Sequence, residues 1–346
     1  MKSFNFFSLF QKSILAMAGI VFFGVIPLHA DLNSDLAFTA FSNVDVNAMA
    51  GGKVLQERGG LIDFMRGITT QSLYIINASP TQVQDKLLHW NPAAHSELQV
   101  WIHKSLPAKP TAADFSGLQG LPNNSSVASL INATAKLDPA NPSLQLSKSE
   151  AQLITSLRSQ TKDKKALAVD FWSQVLAGRA SHFLGGNASA DNYVVSGGDI
   201  QPLSEIKSLF HTNAKVYQQY QALLSQTPVE ASTKATPADL YYDSFDVEGS
   251  AALGTGAVYQ LVNGNSIQSA DIEYYVCSGV YTSVELEQLW PITVNGKVET
   301  LVWREDLVST SNVAYLHGTE RLASGMIMLQ DVKQGIDAFR SEFKKP

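Results

Sequence analysis

The chain has 346 residues, with 25 Lys and Arg against 31 Asp and Glu, and 45% of it is hydrophobic. That is enough apolar material to bury a full core, as one large domain or two ordinary ones, and it excludes a wholly disordered chain. The acidic balance disfavours nucleic acid and anionic membrane surfaces as partners, and a lone cysteine, Cys277, excludes an internal disulfide framework and a cysteine-rich metal site.

Lys2 and Lys12 flank a short n-region, and Ile14 to Leu28 is an uncharged run with the length of a signal-peptide h-region. The run is shorter than the roughly 18–20 residues of a membrane span. Ala30 is a suitable small residue before a cut, although Leu28 at the minus-three position is larger than preferred. The expectation is a signal peptide over residues 1–30, no transmembrane helix in the mature chain, and a periplasmic or secreted bacterial protein, since export without disulfides fits that compartment.

Residues 31–58 are weakly periodic. A strand is expected over 72–77, built on Leu73, Tyr74, Ile75 and Ile76. Ser79-Pro80 then starts a helix with Val83, Leu87 and Leu88 on its stripe, stopped by Asn91-Pro92. Residues 97–103 read as a second strand. From 104 to 225 the spacing is helical throughout, with a capping box at Ser147–Glu150 and a long helix over 163–184. A Thr/Ser/Pro linker follows at 226–237.

After it the period changes to two. Five strands are expected near 240–248, 253–262, 266–276, 280–292 and 298–309, with hairpin signals at Asn263-Gly264 and Asn295-Gly296, and an amphipathic helix over 318–343 ends the chain. Closing the second hairpin on Asn295-Gly296 sets Trp290 opposite Leu301, Gln288 opposite Trp303, Leu286 opposite Glu305 and Val284 opposite Leu307, all on one apolar face. Glu287 opposite Arg304 and Glu285 opposite Asp306 then lie on the other face, which reads as an exposed charged ladder. The first hairpin sets Tyr274 opposite Leu253 and Ile272 opposite Thr255, with Asp271 and Glu273 outward beside Gly256 and Gly254. A three-residue loop, Cys277-Ser278-Gly279, joins the hairpins with Ile272 and Val284 on one face.

A strand followed by an Ala-Ser-Pro helix at 78–90 ending in tryptophan, then an antiparallel meander and one long C-terminal helix, resembles the START-like (polyketide cyclase, helix-grip) superfamily. The likeness covers residues 70–103 and 239–343 and departs from the pattern in the helical block between them. The stretches YYVCSGVY, QLWPI, LVWREDL and GTERLASG also look like those of uncharacterised exported bacterial proteins. The resemblance implies an α+β fold, an antiparallel β-meander gripped by the C-terminal helix. Residues 31–103 and 226–346 would form one unit, interrupted by a helical insertion at 104–225. It further implies a cavity for an apolar small molecule or lipid, lined by Leu253, Tyr259, Ile272, Tyr274, Leu286, Trp290, Leu301 and Trp303 and covered by Met326 and Leu329. The same residues would equally make a solid core.

Glu305 is the unusual acid, because the pairing places it on the apolar face; it needs a partner, such as Arg321 or Lys333, or a raised pKa. It is the polar handle of the implied pocket, with Trp303, Trp290, Leu286, Tyr274, Tyr259 and Met326. His89, His95 and His103, with Asp85 and Glu97, match no metal-ligand spacing, and Cys277 has no adjacent histidine to activate it. No metal or cofactor is expected. Three classes stay open: a binder of an apolar molecule, an enzyme using the same pocket, and a structural or interaction component of the envelope.

Overall fold

The computed structural model describes residues 32–59, 62–186, 192–195, 198–231, 236–316 and 318–344; the expected export segment lies outside them. The chain opens with two short helices, α1 (Leu32–Asp35) and α2 (Val46–Ala50), and strand β1 (Leu55–Arg58). Strand β2 (Gly67–Ile76), helix α3 (Pro80–Leu88) and strand β3 (Val100–Ser105) follow. The next stretch holds α4 (Ser125–Ala135), α5 (Lys148–Leu157), α6 (Lys164–Leu184), a small hairpin of β4 (Tyr193–Val195) and β5 (Gly198–Ile200), α7 (Pro202–Phe210) and α8 (Ala214–Leu224). The meander is β6 (Asp239–Val247), β7 (Ser250–Asn263), β8 (Ser266–Val276), β9 (Thr282–Val294) and β10 (Lys297–Ser309), closed by α9 (Ser311–Ala314) and α10 (Gly318–Ser341).

The fold is α+β. Eight strands form one antiparallel sheet in the order β1-β2-β10-β9-β8-β7-β6-β3. Strands β2 and β3 therefore lie far apart across the sheet, joined through α3, and the last strand returns beside β2. Local chemistry sets the ends of these elements. Ser79 and Gln82 close a capping box at α3 with Pro80 in the first turn, and Ser147 with Glu150 does the same at α5. Asn295 and Gly296 adopt positive φ (50° and 76°), the twist that a two-residue hairpin needs.

The β9–β10 register is the one read from the sequence. Leu301 faces Trp290, Trp303 faces Gln288, Glu305 faces Leu286 and Arg304 faces Glu287. The β7–β8 hairpin turns one residue later than expected, with Asn263 paired to Ser266, so Ile272 faces Ala257 and not Thr255. That offset of two keeps every side chain on its expected face. A bulge at Thr255–Gly256 then shifts the register beyond it. Ile272 pairs with Val284, so the two share a face as expected. Strand β8 ends at Val276 and β9 begins at Thr282, so the connection runs over residues 277–281 and is longer than the three residues expected; Gly279 within it has φ +81°.

Both faces of the sheet are covered. The face carrying Leu286, Trp290, Leu301 and Trp303 packs against α4, α6, α7 and α8 and against Phe38 and Phe41 of the N-terminal segment. The opposite face is covered by α3 and α10: Val83 and Leu87 of α3 and Met328, Val332, Ile336 and Phe339 of α10 pack with Tyr74, Val302 and Leu289. This corrects the expectation that the C-terminal helix lies over Leu286, Trp290 and Trp303. The helix buries positions 328, 332, 336 and 339, leaving Met326, expected to cover the pocket, 65% exposed and Leu322 49% exposed. The stretch 104–225 is helical as read, except for the β4–β5 hairpin.

Candidate functional site: a buried carboxylate layer

On the face beneath α3 and α10, alternation along four strands brings acids together. Strand β10 presents Arg304 and Asp306, β9 presents Glu285 and Glu287, β8 presents Asp271 and Glu273, and β6 presents Tyr241 and Asp243. The expected exposed ladder is thus an interior: these acids and Arg304 are all less than 9% exposed. Strand β7 contributes Gly254 and Gly256 at this level. A Cβ on Gly254 would meet Glu273 Oε1 at 2.1 Å, and one on Gly256 would meet the Tyr241 hydroxyl at 2.2 Å. The absence of side chains there admits the carboxyl and the phenol.

The charges are unevenly matched. Arg304 forks onto Asp306, with Nε 2.9 Å from Oδ2, and its Nη2 is 2.5 Å from Glu285 Oε2. His103 of β3 places Nδ1 2.9 Å from Asp243 Oδ1, and the Tyr241 hydroxyl donates to Asp271 Oδ1 at 2.8 Å. Ser283 donates to Glu273 Oε2 at 3.2 Å. Among the described residues, one guanidinium and one imidazole therefore stand against seven buried carboxyls, the seventh being Asp239 of β6, in line with Asp271 across Val258. Glu273 Oε1, Glu285 Oε1, Asp243 Oδ2 and Asp271 Oδ2 have no hydrogen-bond donor among the described residues, and the Glu287 oxygens have none unless Glu285 is protonated.

Burial drives the protonation of these groups. It raises Asp271 to about 8 against the opposing Tyr241 hydrogen bond, and raises Glu287 to about 7 against Arg304 and a proton shared from Glu285. Burial likewise pushes Glu285 and Glu273 well above the usual carboxylate range, the latter reinforced by Asp243 and Asp271. Asp243 is raised by burial and held back by His103. The arrangement offers an array of acceptors and proton donors spaced along the strands. Among the described residues no group of three His, Cys, Asp or Glu converges as a metal site would require.

The residues proposed from sequence separate. Glu305, Trp303, Trp290, Leu286, Tyr274 and Tyr259 share the other face, where Phe38 lies 4.8 Å from Trp303, Tyr220 5.8 Å from Trp303, and Phe183 stacks on Tyr274 at 3.9 Å. Met326 stands exposed on α10, on the opposite side of the sheet, so the seven do not line one space. An open cleft of about 1090 Å³ at the far end of β2 and α10, lined by Ile76, Lys297, Asp337 and Arg340 among others, includes none of them. Glu305 is 1% exposed and raised to about 7 by burial, against hydrogen bonds from Gln71 (2.9 Å) and Thr69 (3.2 Å). Those two, and neither Arg321 nor Lys333, are its partners. Gln71 Oε1 in turn accepts from Ala40 N and from Trp303 Nε1, which pins the N-terminal segment to the sheet.

The histidine-rich stretch disperses. His103 enters the carboxylate layer, His95 sits between Trp90 and Glu342, and His89 pairs with Asp85. Cys277 is buried, and burial pushes its thiol up to about 12, which disfavours the thiolate that a nucleophile needs. Sequence reasoning missed the carboxylate layer by taking alternation of apolar and charged residues as a sign of exposure. A usable signal was present: Glu285 lies opposite both Asp306 and Asp271, and like charges facing each other destabilise an ordinary exposed ladder. No family model, no curated protein and no solved structure matches this chain. No helix among the described residues is long and apolar enough to cross a membrane.

Proposed function

We propose that the chain is an exported ligand-binding protein on the helix-grip plan, with the layer between the sheet and helices α3 and α10 as its binding site and an organic cation as its ligand. One observation carries this reading: Glu287, 2% exposed, has no hydrogen-bond donor among the described residues beyond a proton that Glu285 would itself have to carry, in a layer where four neighbouring carboxyls each have one oxygen without a donor. Buried acceptors need donors, and leaving them unmatched costs several kcal/mol. An ammonium or guanidinium group supplies both donors and charge. An apolar ligand in this layer would supply neither. The strand order, with α3 joining β2 to the distant β3 and α10 following β10, supports the helix-grip plan. The export reading rests on Lys2, Lys12 and the Ile14–Leu28 run.

The test is calorimetric titration of the purified protein with primary amines, followed by the Glu287→Gln variant. Saturable binding by the wild type, weakened about tenfold or more in the variant through loss of a charge-assisted hydrogen bond, is the expected result. Equal affinity in the two proteins, or recovery of a neutral lipid and no amine by mass spectrometry of the extracted protein, would overturn the reading.

A further inference from the structure

We infer that the ligand is an extended aliphatic polyamine and not a compact cation. The inference rests on the cationic reading above and comes from how the acceptors are spaced. Asp306, Glu285 and Asp271 pair directly across β10, β9 and β8, so neighbours in that row are about 4.8 Å apart. Along each strand the next acid on the same face, Glu287 after Glu285 and Glu273 after Asp271, is two residues on, about 6.8 Å away. The unmatched oxygens thus form a strip two strands wide. A single small cation would satisfy one or two of them, and the remainder would stay buried without donors.

The ends of the strip are already closed by the protein's own cations. Arg304 holds Asp306 and one oxygen of Glu285, and His103 holds one oxygen of Asp243. Unmatched acceptors therefore lie between them, at Glu287, Asp271 and Glu273. A second, independent sign is the neutral Thr70. It faces Asp306 from β2, is fully buried, and its hydroxyl has no partner among the described residues. The polar strip is flanked on the same face by apolar Val302, Leu289 and Ile267, beneath Val83 and Leu87 of α3. Ammonium groups separated by three or four methylenes match both features: their spacing is comparable to one strand step or one along-strand repeat, and their methylenes suit the apolar border.

The experiment compares spermidine, putrescine, tetramethylammonium and magnesium by calorimetry on the full chain, at matched ionic strength. Spermidine is expected to bind tightest and putrescine about tenfold more weakly, as one charge-assisted contact is lost. Asp271→Asn should weaken spermidine more than it weakens putrescine, while circular dichroism reports an intact fold. Tetramethylammonium binding as tightly as spermidine would overturn the polyamine inference and leave the cationic reading standing. Tight magnesium binding with no response to any amine would overturn both.

Discussion

Replacing Glu305 with Gln tests whether this carboxyl is held protonated by burial. Its pKa is raised from an ordinary 4.5 to about 7, so the folded chain holds a proton that the unfolded chain releases. The stabilising contribution is therefore fully present below pH 4.5 and is lost as pH rises through 7. The shift corresponds to on the order of 3 kcal/mol. Gln keeps an oxygen to accept from Gln71 and Thr69 but cannot ionise. Its amide nitrogen would take the place of Oε2, which has no partner among the described residues, and this adds a penalty of about 1 kcal/mol that does not vary with pH. The informative quantity is thus the slope. Urea unfolding of both proteins at pH 4.5, 6, 7 and 8 should show the variant gaining on the wild type by on the order of 3 kcal/mol across that range. Parallel stability curves, or a variant that loses ground as pH rises, would refute the reasoning.

Two further outcomes follow from the geometry. Gly256→Ala places a methyl group 2.2 Å from the Tyr241 hydroxyl and should cost about 1–3 kcal/mol in chemical denaturation, whereas Gly120→Ala, with nothing within 4 Å of the added atom, should cost far less; equal losses would show that the phenol is not confined as described. Expressed in a bacterium with its own N-terminus, the protein should be recovered outside the cytoplasm lacking about 30 residues, and an intact mass beginning at Met1 in a soluble cytoplasmic product would exclude export.

The sheet was legible in the sequence to the degree that turn chemistry fixed it. Asn295-Gly296 admits one two-residue hairpin, and every pair from Lys297–Val294 to Leu307–Val284 follows from it. The first hairpin offers Asn263-Gly264-Asn265, and the chain closes on the later pair, which cost two residues of register. Strand β1 was not legible because Leu55–Arg58 has one apolar residue and lies at the sheet edge, where pairing with β2 through the backbone supplies the order. The candidate site was hidden for a different reason. Period-two alternation specifies which residues share a face but not what covers that face. Acids at 271, 273, 285, 287 and 306 give the same pattern whether solvent or a helix lies over them.

The two covered faces answer to different demands. Replacing a buried ion cluster with apolar residues of similar volume is often neutral or stabilising, so stability alone does not call for acids beneath α3 and α10. The face toward α6, α7 and α8 meets the ordinary demand: it is mainly apolar, its buried polar groups being Glu305, Glu299 near the sheet end, a few hydroxyls and a few hydrogen-bonded amides. Those amides tie the two faces together. Gln268 of β8 donates to Gln288 of β9 and to the backbone of Gln219 on α8, and Gln288 is the direct chain neighbour of Glu287. The helical block therefore clamps β8 and β9 from behind at the level where their opposite faces carry the carboxyls. The backbone ladder between β8 and β9 is braced from that side, and loosening the brace through Gln219 or Gln268 would disturb the carboxylate strip without altering a single charge in it.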